Sequence, residues 1–330
     1  MSHAGYIDPN VLIATQGLKV YFTKGGFLSE KQITKAVDDV NVSIKRGEVM
    51  ALVGESGSGK TTLGRAMIGL QKPTDGKIIY NKNGSPIVIT PKTKVIKHIR
   101  RELQMIYQDP YSSIDPYMKV IDALSMPLKY AKIKEKSEIN KKIEEVLNMV
   151  GLPNDVLNNY VFQLSGGQRQ RLSIARALSL DPKFLVADEP VTMLDASLKG
   201  EIVDLLKKIN KQTNITIMFI THELPIAKIV ANRILVMYKG KIVESGRATT
   251  VLKDPLHPYT KALLEAYPKI NPESKDIIKN INVKERSIES GKVLGCPFYD
   301  RCPFATQKCL EKMPDLKSVS SDHEVACWLY

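Results

Sequence analysis

Apolar positions along this chain fall into two textures. Short continuous apolar runs occupy residues 48–53, 184–187 and 215–220. Such runs suit parallel strands covered on both faces. Residues 17–22, 37–44 and 76–80 read as further strands, and 233–238, a Lys-Gly pair and 241–244 read as a hairpin. Between them lie stripes at helical spacing. Ile139, Ile143, Val146, Leu147 and Val150 make one stripe, stopped by Gly151, and Ile202, Leu205, Leu206 and Ile209 make another. Strands alternating with helices predict an α/β layer fold. Residues 116–181 hold no strand-like run, so a helical insert is expected there. From about residue 250 the texture changes: residues 254–258 form a Pro-rich turn, and residues 269–292 are polar and charged, as in a linker.

Composition narrows the class. Apolar residues make up 43% of the chain, enough for a substantial core, and no apolar run approaches the ~20 residues of a membrane-spanning helix. Asp8 and Pro9 interrupt any basic-then-apolar leader pattern, so a soluble, cytosolic chain is expected. The net charge of +13 invites an anionic partner, but no stretch interleaves dense basic residues with aromatics. Lysines spread over a solvated surface account for the charge, and nucleic acid is not expected as a partner.

Residues 54–61 read Gly-Glu-Ser-Gly-Ser-Gly-Lys-Thr, the phosphate-loop pattern G-x-x-x-x-G-K-[ST]. Glycines let backbone N–H groups wrap an anion, and the helix beginning near Lys60 adds its positive end. Gly54, Ser56, Gly57, Ser58, Gly59, Lys60, Thr61 and Thr62 are therefore candidate nucleotide contacts, with Lys60 on the outer phosphates and Thr61 on Mg²⁺. The run 184–187 ends in Asp188 and Glu189, which places two acids at the carboxyl edge of a parallel sheet, where ligands bind. Asp188 suits the metal, and Glu189 suits proton abstraction from an attacking water. His222, just past the run 215–220, can donate to a γ-phosphate, and Gln108 can ligate the metal or the water. Residues 164–171, Leu-Ser-Gly-Gly-Gln-Arg-Gln-Arg, open a second helix expected over 169–179, again with glycines at an N-terminus ready for an anion. One nucleotide cannot easily use two cradles of the same chain, so a dimer with shared ATP sites is expected.

Taken in order, Gly54 to Thr61, Gln108, Leu164 to Gln168, Asp188, Glu189, Asp195 and His222 resemble the nucleotide-binding subunit of an ABC transporter. Stretches 104–113, 187–190, 257–264 and 295–304 resemble the dipeptide/oligopeptide importer ATPases, in particular the second (F-type) of their two ATPase subunits. The resemblance implies a P-loop ATPase core with an antiparallel β subdomain and a helical subdomain near 116–181. On that reading residues 1–250 form the nucleotide-binding domain and residues 251–330 a small irregular extension carrying cysteines. It further implies ATP and Mg²⁺, the metal held by Thr61, Gln108 and Asp188. Ser165, Gly167 and Gln168 would contact the γ-phosphate of a partner's ATP, Asp195 would sit at the dimer interface, and Phe22 would stack on adenine. Thr192 and Met193 replace the small residues usual before Asp195. The implied machine is a heterodimer with a homologous ATPase at the cytoplasmic face of the membrane. Two integral membrane permeases and an extracytoplasmic substrate-binding protein complete it, with residues 111–116 facing a permease. Peptide import is the leading expectation. Oligosaccharide import by the same machinery, or a soluble ABC ATPase acting on nucleic acid or ribosomes, are the alternatives.

Cys296, Cys302, Cys309 and Cys327 all fall within the last 35 residues. Their spacing, C-x₅-C-x₆-C-x₁₇-C, lacks the close pairs of structural zinc, and a cytosolic chain disfavours disulfides. Spacing alone leaves a [4Fe–4S] cluster, zinc and free thiols open. Resemblance to the family's C-terminal extension points to the cluster.

Overall fold

The computed structural model describes residues 8–25, 32–93, 99–266 and 294–330, so the linker expected at 269–292 lies outside them. The chain opens with strands β1 (Val11–Lys24), β2 (Gln32–Lys45) and β3 (Val49–Val53), followed by helix α1 (Lys60–Met67). β4 (Asp75–Lys82) and β5 (Ser85–Ile89) form a hairpin, and β6 (Leu103–Ile106) follows. Helices α2 (Pro110–Ser113), α3 (Val120–Tyr130), α4 (Lys136–Val150) and α5 (Gly166–Leu178) then run without an intervening strand. Next come β7 (Phe184–Asp188), α6 (Ala196–Thr213), β8 (Thr216–Thr221), α7 (Leu224–Val230) and the hairpin of β9 (Arg233–Tyr238) and β10 (Lys241–Arg247). The C-terminal part holds α8 (Ala248–Lys253), α9 (Pro258–Glu265), α10 (Gln307–Glu311), β11 (Lys317–Ser320) and β12 (His323–Val325).

These strands make two sheets. Four antiparallel strands lie in the order β2-β1-β4-β5, and eight lie in the order β11-β12-β10-β9-β3-β8-β7-β6. In the larger sheet β9, β3, β8, β7 and β6 are mutually parallel. Alternation along each strand divides its side chains between two cores. Leu185 and Ala187 of β7 face the helical layer of α3 to α6, whereas Phe184 and Val186 pack with α1 and the smaller sheet. The same parallel strands end at Val53, Thr221, Asp188 and Ile106, so residues 54, 222, 189 and 108 emerge at one edge.

Most expected elements appear with longer bounds: β1 and β2 extend the runs at 17–22 and 37–44, and α5 begins at Gly166 rather than 169. Strand β1 carries a bulge between Thr15 and Leu18, where Gly17 has φ +56°. Gly76 sits so close that a Cβ there would lie 2.1 Å from the Gly17 carbonyl oxygen, which requires glycine. Two features were not expected. β6 joins the sheet edge, and the C-terminal extension is not irregular throughout, since β12 pairs with β10 and β11 with β12. The reason is physical: β11 is exposed along its whole length and carries no apolar alternation, so its place is set by backbone pairing to the neighbouring β12, which itself pairs with the distant β10.

Candidate nucleotide site

Between β3 and α1 the loop turns through Gly54, Gly57 and Gly59, at φ +156°, +77° and +105°. A Cβ on Gly54 would stand 2.2 Å from the Met237 carbonyl oxygen, and one on Gly59 would stand 1.9 Å from that of Ala36. Only glycine allows the loop to close against β9 and β2. The Gly240 N–H donates to the Ser58 carbonyl at 2.9 Å and ties the loop to the β9–β10 turn. The Ser58 hydroxyl is buried with no hydrogen-bond partner. Lys60 is buried, 5% exposed as a residue, and its ammonium donates to the carbonyls of Gly54 (2.8 Å) and Glu55 (2.9 Å). Burial lowers its pKa, opposed by the carboxylates of Glu189, Asp188 and Glu55. An orphaned buried hydroxyl and an ammonium folded back onto its own loop fit a cradle built for phosphate oxygens.

At the neighbouring strand ends the Thr61 hydroxyl donates to Asp188 Oδ1 at 2.9 Å. Burial raises the pKa of Asp188, and the Thr61 hydrogen bond opposes the rise. The hydroxyl of Thr61, the carboxylate of Asp188 and the amide of Gln108 make an oxygen-rich donor set that fits Mg²⁺. Glu189 holds φ +45°, a left-handed backbone that a non-glycine residue adopts only when its surroundings impose it. Its N–H donates to the Ile220 carbonyl at 2.9 Å. Its carboxylate accepts from Gln108 Nε2 (3.2 Å) and the Thr192 hydroxyl (3.1 Å) and lies 3.3 Å from His222 Nδ1. Gly54, Ser56, Gly57, Gly59, Lys60, Thr61, Thr62, Gln108, Glu189 and His222 line one open cleft of about 750 Å³, a size that admits a nucleotide.

Not every expected residue reaches this cleft. Ser165 caps α5: its hydroxyl accepts from Gln168 N–H at 3.2 Å, while Gln168 Oε1 accepts from Ser165 N–H at 2.9 Å. Ser165, Gly167, Gln168 and the exposed α6 cap Asp195 are not among its lining residues. Phe22 is 43% exposed on β1 and does not line the cleft, and the neighbouring Tyr21 hydroxyl is engaged by Asp38. Sequence reasoning missed Ala36 and, from the C-terminal part, Leu263 and Ala266, all of which line the cleft. The segment 257–264, already conspicuous as a motif, was the signal for Leu263, and Ala266 lies just past it.

All four cysteines line a second, smaller cavity with Phe298, Phe304 and Trp328. None of the four is in a disulfide; Cys296 and Cys302 are buried and Cys309 and Cys327 half-buried. Burial pushes the Cys296 thiol up to about 12 despite a hydrogen bond from the Phe298 N–H, and burial raises Cys327 as well. Among the described residues no group of three or more His, Cys, Asp or Glu is arranged to hold a single metal ion.

A phosphate loop, strand-end acids and a helical insert carrying a capped Ser-Gly-Gly turn define an ABC-type ATP-binding cassette. The family model described as "ABC transporter" matches residues 37–192, and that described as "Oligopeptide/dipeptide transporter, C-terminal region" matches residues 243–309. The chain is 37% identical over 326 residues to the oligopeptide transport ATP-binding protein AppF of Bacillus subtilis, covering 98% of each. It is 40% identical to the putative oligopeptide transport ATP-binding protein YkfD of the same organism, covering 97% of this chain and 95% of YkfD. Among solved structures it is similar to the dimeric post-hydrolysis state of the ATP-binding cassette MJ0796 bound to ADP and Pi, with TM-score 0.62 and 29% identity. That match covers 72% of this chain and 98% of the cassette. A second is cbiO1 from Clostridium perfringens, with TM-score 0.63 and 28% identity, covering 74% of this chain and 92% of cbiO1. The chain therefore belongs to the oligopeptide transport ATP-binding proteins of the ABC transporter family. No helix among the described residues is long and apolar enough to cross a membrane.

Proposed function

We propose that this chain binds and hydrolyses ATP to drive import of di- and oligopeptides through an ABC transporter. One observation carries the hydrolytic part. Glu189, on a strained turn, holds its carboxylate against Gln108, Thr192 and His222 at the mouth of the phosphate loop. In this reading the loop N–H groups receive the phosphates of ATP, and Lys60 turns from its own carbonyls to the outer phosphates. Thr61 and Asp188, with Gln108, hold Mg²⁺, which when bound neutralises charge on the phosphate chain. Glu189 accepts a proton from the attacking water, and His222 donates a hydrogen bond to the γ-phosphate. Ser165, Gly167, Gln168 and Asp195 lie outside the cleft of their own chain, which supports a role across an interface, on the γ-phosphate of a second ATPase subunit. Phe22 remains the proposed adenine contact, its exposed ring open to stacking.

The rest of the assembly follows from the same reading. This subunit sits peripherally at the cytoplasmic face, in a heterodimer with a homologous ATPase beneath two integral membrane permeases, fed by an extracytoplasmic binding protein. Supporting peptide cargo over oligosaccharides, and transport over nucleic-acid work, is the match of residues 243–309 to the oligopeptide/dipeptide C-terminal region. The four thiols gathered around one cavity, with apolar walls and an N–H directed at Cys296, support a [4Fe–4S] cluster there. The domains divide accordingly, residues 1–250 as the cassette and 251–330 as the extension. Glu189→Gln tests the catalytic assignment. Nucleotide binding should persist while phosphate release falls by ~10²–10⁴-fold, and normal turnover in this variant would overturn the role of Glu189.

A further inference from the structure

We infer that Arg301 and Tyr259, both from the C-terminal extension, are positioning residues for ATP, holding the phosphate loop by its second residue, Glu55. The inference rests on reading 54–61 as the ATP site. Arg301 grips the Glu55 carboxylate with both prongs of its guanidinium, Nη1 to Oε2 at 2.8 Å and Nη2 to Oε1 at 2.9 Å. The Glu55 N–H donates to the Tyr259 hydroxyl at 2.7 Å, so the same residue is held by its backbone and its side chain. Glu55 in turn holds Lys60, whose ammonium donates to the Glu55 carbonyl. Side-chain contacts thus run from the extension to the lysine that meets the outer phosphates.

Both holders are fixed. Tyr259 is fully buried, its ring 4.5 Å from that of Tyr238 and 5.5 Å from that of Phe298. Arg301 lies over the rings of Phe298 (5.5 Å) and Tyr238 (5.8 Å), on the short turn Tyr299–Arg301 between Cys296 and Cys302. A planar fork stacked on aromatics and paired bidentately loses little freedom on forming its bonds, and lysine cannot reproduce that geometry. Glu55 cannot serve the phosphates directly, since a carboxylate repels them. Its use is as a handle by which the extension sets the loop.

The test is titration of the full chain with a fluorescent ATP analogue, alongside KM and kcat for ATP hydrolysis. Arg301→Ala should raise Kd and KM roughly fivefold, with kcat within about twofold. Arg301→Lys should recover less than half of that loss. Glu55→Gln breaks the same pair without altering the extension, so it should give the same KM shift even if Arg301→Ala fails to fold. The double variant should be no worse than either single one. Unchanged Kd and KM in Glu55→Gln, or losses that add in the double variant, would overturn the inference. A wild-type chain that binds no ATP would instead refute the site reading itself.

Discussion

At the scale of single residues the site depends on backbone that ordinary side chains resist. Gly57 and Gly59 both hold positive φ, but their surroundings differ. A Cβ on Gly57 meets open space, whereas one on Gly59 meets the Ala36 carbonyl. Both alanine variants should bear about 1–2 kcal/mol of backbone strain. Only Gly59→Ala also forces the loop away from β2. Nucleotide titration should therefore show Gly59→Ala weakened much more than Gly57→Ala, and equal losses would mean the loop does not need its close approach to β2. These residues were legible because their signal is local: a glycine spacing, a Lys-Thr pair, an apolar run ending in two acids. The pairing of Glu55 with Arg301 was not legible, since 246 positions separate them and nothing near either names the other. The left-handed turn at Glu189 was equally hidden, because a bare Asp-Glu pair carries no dihedral.

Elements with a complete local signal emerged close to where the pattern put them. The stripe from Ile139 to Val150 became α4, and Gly151, at φ +70°, ends it in the left-handed geometry that glycine favours. β7 and β8 were legible because both faces are covered and the run is therefore unbroken. β11 and β12 were not, for the pairing of β12 to β10 and of β11 to β12 is a matter of edge hydrogen bonds rather than of side-chain pattern. That edge is secured by the buried Glu244 of β10. It accepts from the N–H groups of Leu256 and His257, both at 2.9 Å, and meets His323 Nε2 of β12 at 2.7 Å. The segment carrying Cys296, Cys302 and Cys309 lies between elements anchored in this way, and Cys327 follows β12. If the thiols hold a [4Fe–4S] cluster, anaerobic purification should yield about four irons per chain and absorbance near ~400 nm. Replacing Cys302 by Ser should remove both, while iron-free, colourless wild-type protein would contradict the assignment.

For the whole molecule the decisive feature is that the chain carries glycine-bearing helix N-termini at both α1 and α5 and brings only that of α1 to its cleft. The loop 54–61 opens beside Gln108, Glu189 and His222, whereas the capped N-terminus of α5 lies elsewhere in the chain. On the function proposed above, a second subunit completes the site. On that proposal, two nucleotides closing the pair and hydrolysis opening it would do the mechanical work. Light scattering on this chain carrying Glu189→Gln, together with the homologous ATPase proposed as its partner, tests this most directly. The account predicts the mass of a two-chain particle with Mg-ATP and separated chains with ADP. Separate single chains under both conditions would contradict it.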